Sequence, residues 1–411
     1  MADIKDDILS KCIFSTQYKS QKPNTFSSIF LKQSSTNNES SLVGSNIVKD
    51  MQINETSKIM KQTDFRPQTF DQVIGQTEIK EFLKLKIAAF KKTRVSLVHT
   101  LFLGFSGVGK TTLANVVANE MGVTFHQIMA TRIKTEGDLQ NIIKNIEEND
   151  IVFIDEIHAL SPKIQEHLYG IMEDFTCTIE DKNLNRQVIV RIPRFTLIGA
   201  TTHSGDLNPP LLSRFQYKAN LLPYSTEHLT KMITTAGERI YDINVPYDVA
   251  NRLAQLSRRT ARIAYNLLRS LMDVAEAQTT GKVTPDMLTK SLMNKMLRYE
   301  QIDPIIGLDY ASRKYIVALL RESGALGSKT IANYINEQES TVTGMIEPFL
   351  FSEIELESVD NGSLKVQKGP FVRITKKGRI ASVAAYHYIK LCHSLQKQGW
   401  FNNESLNVKP E

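Results

Sequence analysis

Two short stretches of the chain carry residues whose types and spacing suit phosphate chemistry. Gly104-Phe-Ser-Gly-Val-Gly-Lys110-Thr111-Thr112 fits the pattern G-x-x-x-x-G-K-[ST], in which backbone N–H groups of a glycine-rich turn face phosphate oxygens. Gly107 and Gly109 permit the curl, Lys110 reaches the β and γ phosphates, Thr111 offers a hydroxyl to Mg²⁺, and Thr112 falls near the α phosphate. Further on, Ile151-Val-Phe-Ile-Asp155-Glu156 ends an apolar run with two adjacent carboxylates. Asp155 suits the magnesium shell, and Glu156 suits polarising an attacking water. Together the motifs predict hydrolysis of a nucleoside triphosphate with Mg²⁺, beyond binding alone. His158, just past the pair, is either metal-linked or, the plainer reading, an exposed or otherwise satisfied histidine.

Such residues work only if strands deliver them and helices receive them. Leu97 to Leu103 is an apolar run entering the glycine-rich turn, and Thr112 to Met121 reads as the helix beyond it. Ile151 to Ile154 and Phe195 to Ala200 are short buried-strand runs, with a helix from Pro162 to Asp174 between them. The alternation predicts an α/β fold, a P-loop doubly wound parallel sheet covered on both faces, over residues 61–223. After Pro223 helical patterns take over (Asp248 to Leu256, Ala261 to Glu276, Pro285 to Leu297), giving a small helical lid domain over 224–304. From Ile305, three helices (Ala311 to Glu322, Lys329 to Glu337, Ser340 to Phe351) precede strand-like Glu355 to Val359, the turn Asp360-Asn361-Gly362 and strand-like Leu364 to Gln367. That order predicts a winged-helix domain over 305–392, followed by a tail, 393–411.

Composition narrows the setting. Residues 1–60 are rich in Ser, Asn, Gln, Lys and Thr without apolar period, which predicts a disordered tail; its acidic residues speak against a transit peptide. Across 411 residues, 50 Lys and Arg face 44 Asp and Glu, a balance of +6 that permits nucleic acid binding without requiring it. Cys12, Cys177 and Cys392 are too scattered for a disulfide framework or a zinc site, and no run is apolar enough to span a bilayer, so a cytoplasmic protein is expected. The positive charge is concentrated late: Lys365, Lys368, Arg373, Lys376, Lys377 and Arg379 crowd the predicted wing and its exit. They read as phosphate contacts to double-stranded DNA, with a solvated charged hairpin as the alternative.

The ordered set of motifs resembles the RuvB family of Holliday-junction branch-migration motors, members of the AAA+ ATPases. The resemblance rests on Phe65-Arg66-Pro67 with Ile74-Gly75-Gln76, Phe153 to His158, Phe195 to Thr202, Ser213-Arg214-Phe215, Thr260 to Ala264, Gly307-Leu-Asp309 with Arg313-Lys314-Tyr315, and Ile346 to Leu350. The resemblance implies a DNA-dependent ATPase acting in recombination and repair as a homohexamer on duplex DNA. It implies that Phe65, Arg66, backbone around Glu173, Asp174 and Phe175, and Tyr224 surround the adenine. Thr201 or Thr202 becomes the sensor of the γ phosphate, Arg214 an arginine finger reaching a neighbouring subunit, and Arg262 a contact to the γ phosphate within its own subunit. The alternating stretch Thr176 to Ile192 reads as a hairpin that either docks a junction-binding partner of the RuvA type through Thr178, Ile179, Val188 and Val190 or is a half-buried edge. Phe105-Ser106, Leu212, Glu339 and a long wing depart from the family pattern. Two other classes fit the residues less fully: a clamp-loader-like or initiator-like ATPase on DNA, and a remodeller of proteins.

Overall fold

A computed structural model describes residues 66–181, 186–202, 204–322, 324–360, 363–401 and 406. The expected tail 1–60, Phe65, and the turn residues 182–185 and 361–362 lie outside the described residues. So do the side chains of Thr178, Ile179, Val188 and Lys365.

Five strands, β1 (Thr100–Leu103), β2 (Phe125–Met129), β3 (Ile151–Asp155), β6 (Thr196–Thr201) and β7 (Tyr217–Asn220), form one sheet in the order β2-β3-β6-β1-β7, every pairing parallel. Alternate residues face opposite ways along a strand, so each strand supplies both faces. Phe102, Ile151, Phe153, Ile198 and Ala200 join one core, while Leu101, Val152, Ile154 and Leu197 join the other. Helices α1 (Thr77–Thr93) and α2 (Lys110–Met121) cover the first face; α3 (Glu136–Ile143) and α4 (Pro162–Asp174) cover the second. Helix α4 starts where expected for a local reason: Ser161 accepts from the Ile164 N–H and Pro162 occupies the first turn. A hairpin, β4 (Thr176–Asp181) with β5 (Arg186–Arg191), projects from the end of α4, and a short helix, α5 (Pro209–Arg214), leads to β7.

The lid consists of α6 (Thr226–Tyr241), α7 (Tyr247–Leu256), α8 (Ala261–Glu276) and α9 (Lys290–Tyr299), whose apolar faces continue the first core. Pro285 opens a 3-10 turn, Pro285–Met287, and the helix expected from there begins only at Lys290. The third domain follows through Gly307, whose φ of +78° and close approach to Leu256, where a Cβ would lie 1.9 Å from the carbonyl oxygen, admit only glycine. Its helices are α10 (Tyr310–Arg321), α11 (Ser328–Ile335) and a third segment in which α12 (Glu339–Thr341), a π turn (Val342–Ile346) and α13 (Glu347–Leu350) run on continuously. Pro348 has no N–H to donate back into this segment, which explains the widened turn before it.

Two consecutive hairpins, in place of the one expected, complete this domain: β8 (Ile354–Asp360) with β9 (Ser363–Gly369), then β10 (Val372–Thr375) with β11 (Gly378–Ala381). Among the described residues β11 alone bridges to the helical part, through Leu326 and Arg379. The second hairpin is therefore the wing proper, and β8–β9 is an excursion before it. The expected boundary at 392 falls inside α14 (Val383–Gln396). Beyond that helix Trp400, Phe401 and Leu406 are buried, with the guanidiniums of Arg298 and Arg313 over the rings of Trp400 and Phe401 at 4.7 and 4.1 Å.

Candidate nucleotide site

The glycine-rich turn joins the C-terminal end of β1 to the N-terminus of α2, where helix N–H groups and the helix dipole favour phosphate. Gly107 and Gly109 adopt φ +84° and +94°, and a Cβ on Gly107 would stand 2.9 Å from the Cβ of Arg262. Lys110 is buried at the turn, its ammonium donating to the carbonyls of Gly104 (2.7 Å) and Phe105 (3.0 Å). Burial pushes this amine below its ordinary range, while the carboxylates of Glu156 and Asp155 pull it back. Thr112 follows on the first turn of α2.

Register brings the other groups to the same end of the sheet. Thr201 closes β6 opposite Leu103, and Asp155 closes β3 one strand further on. The Thr111 hydroxyl donates to Asp155 Oδ2 at 3.3 Å, so two hard oxygen donors converge as a divalent cation would need, and the residues fit Mg²⁺. Among the described residues no cluster of three or more His, Cys, Asp or Glu could hold a metal by itself. Glu156 takes a left-handed backbone (φ 51°), with its N–H on Asp155 Oδ1 at 3.1 Å. His158 is the residue that local reading underrates: its Nδ1 lies 2.9 Å from Thr201 Oγ1 and 3.3 Å from Glu156 Oε2. Thr202 is half-buried beside Thr201.

The lid reaches the turn by two residues. Tyr224 is buried, its hydroxyl donating to the Val108 carbonyl at 2.9 Å, and burial raises that hydroxyl's pKa. Arg262 donates to the Ser106 hydroxyl at 2.8 Å, so one departure from the family pattern supplies its acceptor. Phe105, another departure, is half-buried and lines a cleft with Ile263 of α8 and with Met345, Pro348 and Phe349 of the third domain. Arg66 is exposed, in a segment laid on the far half of α2, where Asn119 donates to Gln68 and Glu120 accepts from the Phe70 N–H.

Glu173, Asp174 and Phe175 are not beside this site. Phe175 packs on His99 and Phe195, which precede β1 and β6, so it sits at the opposite end of the sheet from the glycine-rich turn. Glu173 instead meets Arg214: the guanidinium contacts its carboxylate, donates to the Tyr169 hydroxyl at 2.8 Å and lies 4.7 Å over the Tyr169 ring. Helices α4 and α5 thus gather Arg214 and Glu173 to Phe175 on one face, away from their own Lys110. A helix running antiparallel to its strand makes this unavoidable, and motif spacing alone hides it.

In the third domain Arg373, Lys376 and Lys377 are exposed on the wing, and Lys368 on β9 pairs with Glu355 at 3.0 Å. Arg379, expected beside them, is turned inward. Its guanidinium bonds both carboxylate oxygens of buried Glu347 (2.9 and 3.1 Å), and Glu347 also accepts from the Tyr315 hydroxyl at 2.9 Å. An arginine so held has little left to offer a phosphate. On the β4–β5 hairpin, Ile189 and Val190 are exposed.

Comparison with known proteins matches residues 65–221 to a family model described as the Holliday junction DNA helicase RuvB P-loop domain and residues 224–298 to the RuvB AAA lid domain. A Holliday junction branch migration complex subunit RuvB from Campylobacter fetus subsp. fetus is 37% identical over 360 residues, covering 85% of this chain and 98% of that protein. The protein of that name from Myxococcus xanthus is 35% identical over 333 residues, covering 80% of this chain and 90% of its own. Among solved structures, the Thermotoga maritima RuvB Holliday junction branch migration motor superposes with a TM-score of 0.66 at 30% identity, over 79% of this chain and 98% of that one.

Proposed function

The chain belongs to the RuvB family, and on that premise we propose that it is an ATP-hydrolysing motor that drives Holliday junction branch migration. The observation that carries the enzymatic part is the convergence of Lys110, Thr111, Asp155, Glu156 and Thr201 at one end of the sheet. Thr111 and Asp155 would hold Mg²⁺, whose charge offsets that on the phosphate oxygens. Lys110, Thr112 and the turn's N–H groups orient the phosphates, Glu156 polarises water, and Thr201 or Thr202 senses the γ phosphate. Tyr224 and Arg262 complete the pocket around the nucleotide from the lid side, and the resemblance would bring Phe65 and Arg66 to its adenine.

Arg214 and the Glu173 to Phe175 segment serve a neighbouring copy's nucleotide, and a ring, hexameric as in the family reading, supplies that neighbour. Support comes from their shared face remote from Lys110. The exposed cations Arg373, Lys376 and Lys377 give phosphate contacts to duplex DNA without reading bases, as a motor indifferent to sequence requires. The β4–β5 hairpin, with Ile189 and Val190 outward, suits docking of a RuvA-type partner. No described helix is long and apolar enough to cross a membrane, and work on junction DNA puts the protein in the cytoplasm.

The deciding measurement is strand movement at a synthetic four-way junction with ATP and Mg²⁺, beside salt-dependent binding to that junction and to duplex of equal length. Movement only with ATP supports the motor. Binding without movement would instead favour a loader or initiator, and no binding a protein remodeller.

A further inference from the structure

His158 has no role in the scheme above, yet it stands between two residues that do. The 3-10 turn Ile157–Ala159 follows Glu156 directly, and the Ala159 N–H closes it on the Glu156 carbonyl at 2.8 Å. That turn fixes the imidazole relative to the carboxylate. Nδ1 lies 3.3 Å from Glu156 Oε2 and 2.9 Å from Thr201 Oγ1. A carboxylate oxygen only accepts, so this approach is attractive when Nδ1 carries the proton and repulsive when it presents a lone pair. With Nδ1 protonated, Thr201 accepts as well and directs its own hydrogen elsewhere. One N–H therefore stands within reach of both base and sensor: Thr201 is at hydrogen-bond distance, whereas Glu156 Oε2 is buried without a hydrogen-bond partner among the described residues. The ring is about a quarter exposed (23%), so filling the core does not account for it.

We propose that His158 is a positioning residue that orients the Glu156 carboxylate and ties its orientation to Thr201. When the Thr201 hydroxyl turns to the γ phosphate, its hold on Nδ1–H weakens and the N–H passes to Glu156. The carboxylate is then fixed for water only when the phosphate is present. This rests on the reading of Glu156 as the base.

The test compares His158→Ala with His158→Asn, whose amide N–H₂ reaches about where Nδ1 lies. For His158→Ala, kcat is expected to fall about 10- to 100-fold, as for loss of a group that orients a catalytic one, with KM and the Kd of a fluorescent ATP analogue within about twofold. His158→Asn should recover most of the loss. Because the histidine acts through Glu156, His158→Ala combined with Glu156→Gln should cost no more than Glu156→Gln alone. Unchanged kcat in His158→Ala, no recovery in His158→Asn, or losses that multiply in the double variant would each overturn the proposal. His158→Leu takes the place of the alanine variant if that one does not fold. Normal hydrolysis by Glu156→Gln would overturn the base reading instead, so the two failures are told apart.

Discussion

On the proposed reading Lys110 and Glu156 would act at different moments, one when the phosphates arrive and one when water attacks. Lys110→Ala should lose nucleotide binding, whereas Glu156→Gln should bind ATP normally and turn over about 10²- to 10⁴-fold more slowly, the range for a lost general base. Equilibrium binding and steady-state hydrolysis of both variants check this, and normal turnover in Glu156→Gln would be fatal to its role. These residues are legible in the sequence because the chemistry is local: a lysine after Gly109 and two carboxylates after four apolar residues need no tertiary information. Arg214 needs the resemblance, and its partners Tyr169 and Glu173 need the fold, since they come from a helix whose 45- and 41-residue separations carry no period. The resemblance links Glu173 to Phe175 with an adenine, and the fold puts that segment at the far end of its own sheet. Spacing cannot reveal which copy's nucleotide a residue faces.

Among the elements, β3, β6, α4 and α8 lie close to where their apolar patterns put them. The edge strands escape such a reading, because β2 (Phe-His-Gln-Ile-Met) is only half-buried and β7 (Tyr-Lys-Ala-Asn) has one buried residue in four. The two hairpins look like one in the sequence for a different reason. The run of cations spans both, and only the Leu326 bridge shows which hairpin belongs to the winged helix. That distinction changes what should be mutated. Replacing Arg373, Lys376 and Lys377 together by Ala should weaken DNA binding and flatten the log–log salt dependence by about 0.9 for each phosphate no longer neutralised, without altering sequence preference. An unchanged slope over a salt series would send the DNA path elsewhere. Arg379 belongs to a different experiment, because it and Tyr315 share buried Glu347. Glu347→Ala strands a half-buried cation, at a cost of about 3 kcal/mol or more. The chain's single tryptophan, Trp400, is buried in the same domain and reports that unfolding by fluorescence in a denaturant titration. An unshifted midpoint would refute the network's importance.

At the scale of the whole molecule, the proposed finger in trans would make activity a property of neighbours. Inactive Arg214→Ala protein mixed with inactive Lys110→Ala protein should recover part of the hydrolysis, wherever an intact arginine meets an intact lysine site. No recovery in rings shown by mass measurement to be mixed would place the finger in its own subunit. The joint between lid and third domain carries a mechanical consequence. Gly307 sits flush on the Leu256 backbone, Arg258 holds Asp309 at 2.9 Å, and Arg252 holds the Pro304 carbonyl. A joint seated backbone to backbone leaves little play, so on the motor reading a turn of the lid would be carried to the wing as to an arm. Wedging that seat apart, as Gly307→Val would by driving its side chain into the Leu256 carbonyl, should spoil the gearing: the motor would idle, spending more ATP for each base pair moved, as hydrolysis measured beside junction movement would show.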